Sequence, residues 1–202
     1  MEKTLVIWII GGNSTGKTTL ARNIHKFFQN IATPTEKVIS VGDFYYTEMS
    51  KYSCNVGDLL KSQCAGCDTL GTKQQIINCF EYVVDRYPVV VLEGIMATGT
   101  WIEFLKRDDT IVFTILLNVT PETNFSMVSK RRAIKKGISQ FEVEVTEKTR
   151  ENMSSKLRGF MSLYERMKPK SDYSLIIEID GLTIGQVFTR VEVFLKKIIL
   201  QK

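Results

Sequence analysis

Short runs of apolar, β-branched residues alternate along the chain with longer stretches whose apolar residues recur every three or four positions. TLVIWII (4–10), KVISV (37–41), PVVVL (88–92), IVFTILL (111–117) and SLIIEI (174–179) are apolar on both faces and predict buried strands. Between them the spacing predicts helices over 17–29, 72–86, 100–107, 122–136, 144–168 and 183–200. The last carries Val187, Val191, Phe194, Leu195 and Ile198 on one stripe, as a helix packed on a sheet does. Strand and helix in alternation imply parallel strands joined by crossover helices, hence an α/β, three-layer α/β/α fold with a five-stranded, mainly parallel sheet. Residues 48–71, EMSKYSCNVGDLLKSQCAGCDTLG, break the pattern and read as a loop-rich insertion over the site.

The chain has 202 residues, 44% of them hydrophobic, enough for one core and one domain spanning 1–202. It has no internal repeat, low-complexity tract or interdomain linker. No apolar run is long enough for a membrane span, and polar GGNSTGK follows the first apolar run too soon for a signal peptide. The expectation is a soluble, cytoplasmic protein with no membrane partner.

Charge divides the chain unevenly. Residues 1–120 hold 11 Lys+Arg against 12 Asp+Glu, whereas 121–202 hold 16 against 10, so the net +5 is C-terminal. Within 130–170 the balance is 12 basic to 5 acidic, the footprint expected for a polyanion such as nucleotide phosphates or a nucleic-acid backbone. A solvated helix face gives the same pattern.

Cys54, Cys64, Cys67 and Cys79 fall in one 26-residue window. An intracellular setting argues against disulfides, which leaves reduced thiols or a zinc site with half of the usual paired spacing, Cys64-x-x-Cys67. The single histidine, His25, lies within the first helix and reads as packed or solvated rather than catalytic.

The chemistry begins at GGNSTGKTTL, Gly11 to Leu20, which fits G-x-x-x-x-G-K-[ST] directly between a strand and a helix. Glycines allow a tight turn whose backbone amides, with the helix N-terminus, face phosphate oxygens. The candidate nucleotide-binding residues are Gly11, Asn13, Ser14, Thr15, Gly16, Lys17, Thr18 and Thr19. Lys17 is placed to reach the β and γ phosphates, and Thr18 to offer its hydroxyl to Mg²⁺.

Other carboxylates and arginines complete a transfer site. SVGDFYYTE places Asp43 after the second strand, where an open α/β sheet holds ligands and a carboxylate can accept a hydroxyl proton. Capping the next segment is the alternative role for Asp43. VVVLEG places Glu93 at the end of the third strand, to hold Mg²⁺ through water, position the acceptor, or make a structural hydrogen bond. SKRRAIKKG sits in a basic lid, 122–140, from which Arg131 or Arg132 can neutralise charge developing on the phosphates. Being adjacent, the two cannot both aim at one phosphate from a regular helix. Phe44, Tyr45 and Tyr46 could stack on an extruded base, or equally serve as core or rim aromatics.

The set GGNSTGKTT, VGDFYY, VVVLEG and SKRRAIKKG resembles a P-loop kinase of the nucleoside/nucleotide kinase group. VSKRRAIKKG followed by VTEKTRENMSSKLRGFMSLYERM is similar to the kinase module of phage-type polynucleotide kinases, and a related branch phosphorylates 5-hydroxymethyluracil within DNA. The resemblance implies a P-loop kinase fold, an ATP donor, Mg²⁺, Lys17 and Thr18 at the phosphates, Asp43 as general base and a lid arginine at 131 or 132. Where that family grips the acceptor phosphate with an arginine shortly after the Asp, this chain has Tyr45, Tyr46 and Thr47, then Lys51.

The reading that follows is an ATP-dependent kinase acting on a hydroxyl of DNA, either a 5-hydroxymethyluracil base or a 5′ end. The alternatives are a small-molecule nucleoside or nucleoside monophosphate kinase and, from another class, a P-loop nucleotide-binding regulator that transfers nothing. The chain lacks an N/T-K-x-D element for guanine and a glutamine placed to activate water, which disfavours a GTP switch.

Overall fold

TLVIWIIG forms β1 (Thr4–Gly11), buried along almost its whole length because helices cover both of its faces. In the computed structural model, which describes residues 3–30, 32–61, 64–94, 100–139, 143 and 146–200, the chain continues as α1 (Lys17–Gln29), β2 (Pro34–Val41), β3 (Phe44–Ser50), β4 (Ser53–Val56), α2 (Lys73–Val84), β5 (Val89–Glu93), α3 (Trp101–Leu105), β6 (Thr110–Asn118), α4 (Pro121–Lys136), α5 (Glu147–Met167), β7 (Tyr173–Glu178) and α6 (Ile184–Leu200).

The sheet has seven strands in the order β2-β3-β4-β5-β1-β6-β7. From β4 to β7 every neighbouring pair is parallel, with Ile9 opposite Glu93 on one side of β1 and Ile115 on the other. β2 and β3 are antiparallel additions at one edge. The fold is therefore α/β, and the expectation of five strands is corrected to a mixed sheet of seven.

The correction is local and has a physical cause. KVISV is apolar enough for a buried strand, yet β2 is the outermost strand of a hairpin and is largely exposed. The parallel strand beside β5 is instead β4, SCNV, inside the segment expected to be an insertion. Its polar residues hide it: Cys54 and Val56 join the core on one face, while Ser53 and Asn55, also fully buried, face α1. There Ser53 Oγ lies 3.1 Å from Nδ1 of buried His25. Among the described residues only 57–61 and 64–71 of that segment remain as loop, with one short 3-10 turn, Cys67–Thr69, lying against β5.

Two apolar layers sandwich the sheet. Leu20, Ala21, Ile24 and Phe28 of α1 and Val187, Val191, Leu195 and Ile198 of α6 cover one face. Phe80 and Val83 of α2, Trp101 of α3, and Phe160, Leu163 and Tyr164 of α5 cover the other, where Trp8 stacks on Trp101 at 5.7 Å between ring centroids. Removal of such large side chains from water is the main favourable contribution to folding. Thr72 and Gln75 close a capping box on α2, and the side chains of Thr120 and Thr146 cap α4 and α5, so these three helices begin where local chemistry places them. Among the described residues, no helix is long and apolar enough to cross a membrane.

Candidate active site

β1 ends at Gly11, and the turn to α1 follows the phosphate-loop motif. Gly16 adopts φ 88°, a left-handed conformation that a side chain would strain, and it lets α1 begin at Lys17. No side chain caps the first turn of α1 and no acidic residue lies in it, so its N-terminal amides offer an anion-binding end. Thr15 is buried and donates to the Gly12 carbonyl at 3.0 Å, holding the turn from within. Asn124, in the first turn of α4, is 2% exposed and donates through Nδ2 to the Asn13 carbonyl at 2.7 Å. Leu157 of α5 packs so closely on Gly12 that a Cβ there would lie 2.8 Å from its methyl carbon. The loop is thus fixed by two helices from the far half of the chain.

Lys17 is buried, and its Nζ donates to the carbonyls of Gly11 at 3.0 Å and Gly12 at 2.7 Å. Thr18 Oγ1 donates to Oε1 of Glu93 at 3.1 Å, joining the loop to the end of β5. Burial pushes the Glu93 carboxyl up to about 7 against the opposing pull of Lys17 and Thr18, and burial pushes Lys17 below the ordinary lysine value against Glu93 and Asp68. For both groups loss of water outweighs their mutual attraction and shifts each toward its uncharged form.

A cleft of about 520 Å³ opens over this pair. Asn13, Ser14, Gly16, Lys17, Thr18 and Thr19 form its floor with Glu93. Ser14 Oγ is enclosed without a hydrogen-bond partner among the described residues, a polar atom left for something the cleft would hold. One wall is α4, from which Met127, Lys130, Arg131, Ile134 and Lys135 line the cleft at a spacing of three and four that selects one helix face, all but Met127 remaining exposed. Both arginines are exposed, but Arg131 lines the cleft and is close enough to lower Lys17 further, whereas Arg132 is absent from the lining.

The opposite wall comes from 57–71. Cys64, Ala65 and Asp68 line it, and Arg22 of α1 anchors it by donating to the carbonyls of Leu59 at 2.8 Å and Lys61 at 3.2 Å. Gly66, at φ 64°, lies directly on Glu93, where a Cβ would sit 2.5 Å from Oε1. Asp68 lies in turn on Gly94, with Oδ1 2.7 Å from where a Cβ would stand.

Besides Arg132, four of the expected catalytic and acceptor-binding residues do not line the cleft. Asp43 is exposed in the β2–β3 turn, three strands from β1, about 14 Å at the usual strand spacing, and does not line the cleft. Its displacement follows from β2 and β3 being appended to the sheet edge. Phe44 and Tyr46 are buried in the core against Tyr82, and Tyr45 is half-buried with its hydroxyl donating to the Thr69 carbonyl. No one of the three lines the cleft, and their placement is that of the core and rim aromatics the sequence also allowed, with Tyr45 supporting the 3-10 turn.

Cys54, Cys67 and Cys79 are core residues whose thiols burial pushes up, Cys79 to about 12. Cys64 is exposed at the cleft. Among the described residues no three His, Cys, Asp or Glu are grouped to hold a metal ion, so the C-x-x-C spacing assembles no ligand set. Asp68, Arg22 and Asn124 were not legible as site residues in the sequence. Only the irregularity of 48–71 pointed toward the surroundings of Asp68.

Compared with known proteins, the chain matches no family model and no curated sequence.

Proposed function

We propose that this protein is an ATP-dependent kinase that transfers the γ-phosphate to a hydroxyl on DNA, at a 5-hydroxymethyluracil base or a 5′ end. The observation that carries the reading is the convergence of Lys17, Thr18 and Glu93 with Arg131 in the lining of one cleft above a phosphate-loop turn. The DNA acceptor rests on the excess of basic residues over 130–170 and on the resemblance of the motifs.

In this reading the α1 N-terminus and loop amides hold the triphosphate, Lys17 leaves the Gly11 and Gly12 carbonyls for its oxygens, and Arg131 offsets charge that grows as the phosphoryl group moves. Lys130 and Lys135 beside it favour a polyanion. Thr18 and Glu93 supply a hydroxyl and a carboxylate oxygen 3.1 Å apart, hard donors that suit Mg²⁺. When bound, that ion draws charge from the β and γ oxygens. Between the α4 wall and the 57–71 wall the acceptor hydroxyl is held against the γ-phosphorus, and most of the acceleration comes from position and charge.

Burial of Phe44 and Tyr46 favours a second reading, a free nucleoside or nucleoside monophosphate as acceptor, because it removes the expected stacking platform for an extruded base. Transfer of labelled γ-phosphate from ATP separates the two. Labelling of DNA with free 5′ hydroxyls or hydroxymethylated pyrimidines, weakening steeply with salt, is the expected result. Labelling of free nucleosides alone would overturn the DNA acceptor, and ATP binding without transfer to any of these would overturn the kinase.

A further inference from the structure

We propose that Asp68, rather than Asp43, is the carboxylate that takes the proton from the acceptor hydroxyl, an assignment that rests on the phosphotransfer reading above and deepens it. Among the described residues only two carboxylates line the cleft, Glu93 and Asp68. Glu93 is 2% exposed, covered by Gly66 and bonded to Thr18, which commits it to the donor side. Asp68 is partly exposed, lies against Gly94 one residue beyond Glu93, and is near enough for its charge to act on both Lys17 and Glu93. Asp58, the other acid on this wall, receives the amides of Leu60 at 2.8 Å and Lys61 at 3.3 Å and does not line the cleft. His25 is sealed within the core.

The backbone under Asp68 is held from all sides, as a positioned base requires. Cys67 is fully buried before it. Thr69 after it donates through Oγ1 to the Gly66 carbonyl at 2.6 Å and accepts from the Asp58 amide at 2.9 Å, and Tyr45 donates to the Thr69 carbonyl. Gly66 N donates to Asp58 O at 2.8 Å, closing the loop at its neck. Tyr45, from the stretch that carries Asp43, therefore supports the base without being near the reaction.

The step balances as one transfer. The acceptor O–H proton passes to an Asp68 carboxylate oxygen, and the acceptor oxygen bonds to the γ-phosphorus of the nucleoside triphosphate. The bond from that phosphorus to the β–γ bridging oxygen breaks, its electron pair leaving with the nucleoside diphosphate. Asp68 then releases its proton to solvent.

The test compares the wild type with Asp68→Asn, Asp68→Glu and Asp43→Asn in transfer of label from γ-labelled ATP to whichever acceptor the wild type uses, alongside ATP affinity and the Mg²⁺ concentration giving half activity. The expected result is a fall in kcat of about 10² or more for Asp68→Asn, partial recovery in Asp68→Glu, and ATP affinity and Mg²⁺ requirement within about threefold of the wild type. Asp43→Asn should stay within about threefold in kcat, as suits a carboxylate outside the cleft. Full activity of Asp68→Asn overturns the assignment, and so does a loss restored by excess Mg²⁺ or Mn²⁺, which marks a metal ligand. If Asp68→Asn loses its cooperative melt, Asp68→Ser is read by the same criteria. If the wild type labels no acceptor, the kinase reading fails and the base falls with it, whereas transfer by the wild type and equally by Asp68→Asn removes Asp68 alone.

Discussion

Thr18 Oγ1 donates to Glu93 Oε1 at 3.1 Å, so the first turn of α1 and the last residue of β5 share one hydrogen bond across the floor of the cleft. Glu93 is enclosed there, and burial raises its carboxyl from the ordinary value of 4.5 to about 7. Between those values the folded protein keeps a proton that the unfolded chain has lost, so this contribution to stability is complete below pH 4.5 and disappears as pH rises toward 7. Glu93→Gln cannot ionise and should melt higher than the wild type at pH 8 without ligand, while turnover falls by about 10² or more. Thermal unfolding at pH 5 and pH 8, together with phosphoryl transfer, checks both halves. An unchanged difference between the two proteins across that range would exclude a buried, proton-holding Glu93.

His25 acts with the opposite sign. Burial lowers its imidazole from 6.5 to about 3, although the Asn55 side chain beside it pulls upward. Its Nε2 and Asn55 Oδ1 fall short of hydrogen-bond geometry, so burial dominates. As pH falls from 6.5 toward 3 the unfolded chain takes up a proton that the folded one refuses, and stability declines by at most about 1.4 kcal/mol per pH unit. From pH 6.5 down to 4.5 the Glu93 gain offsets this loss in the wild type. Denaturant midpoints should therefore drop more steeply over that window in Glu93→Gln than in the wild type, whereas in His25→Gln, left with the Glu93 gain alone, they should rise as pH falls. Parallel profiles for all three proteins would be the contrary result.

The two adjacent lid arginines should separate cleanly. Arg131 faces the cleft with Lys130 and Lys135, and Arg132 does not. Arg131→Ala should lower turnover by about 10² at saturating ATP, and Arg132→Ala should stay within about threefold. Steady-state phosphoryl transfer decides it, and equal losses would mean that α4 rotates or unwinds to use both.

Thiol accessibility offers a test that does not depend on the acceptor. Cys64 is exposed at the cleft, whereas Cys54, Cys67 and Cys79 are buried. One equivalent of four should react with a thiol-specific reagent under native conditions and all four after denaturation, and nucleotide should slow the first. Rapid modification of two or more in the native protein would contradict the packing of β4 against α2.

The sequence by itself determined the strands β1, β5, β6 and β7, the span of α1 and the phosphate loop, because in each the requirement is local. A buried parallel strand must be apolar on both faces, and a phosphate turn needs glycine and lysine at set spacing. The same local logic placed Glu93 at a strand end and a basic helix after β6. Only the tertiary structure decided which carboxylate meets the cleft, since Asp43 stands in a hairpin at the sheet edge while the 3-10 turn brings Asp68 onto Gly94 at the end of β5. It also decided that SCNV is a core strand, because Ser53 and Asn55 are polar in order to face a histidine 28 residues earlier than Ser53. Arg131 was separable from Arg132 only once α4 had a fixed rotation, to which the bond from Asn124 to Asn13 contributes. Periodicity records which face of an element is apolar, but which neighbour that face meets depends on strand order, and strand order is a property of the assembled sheet.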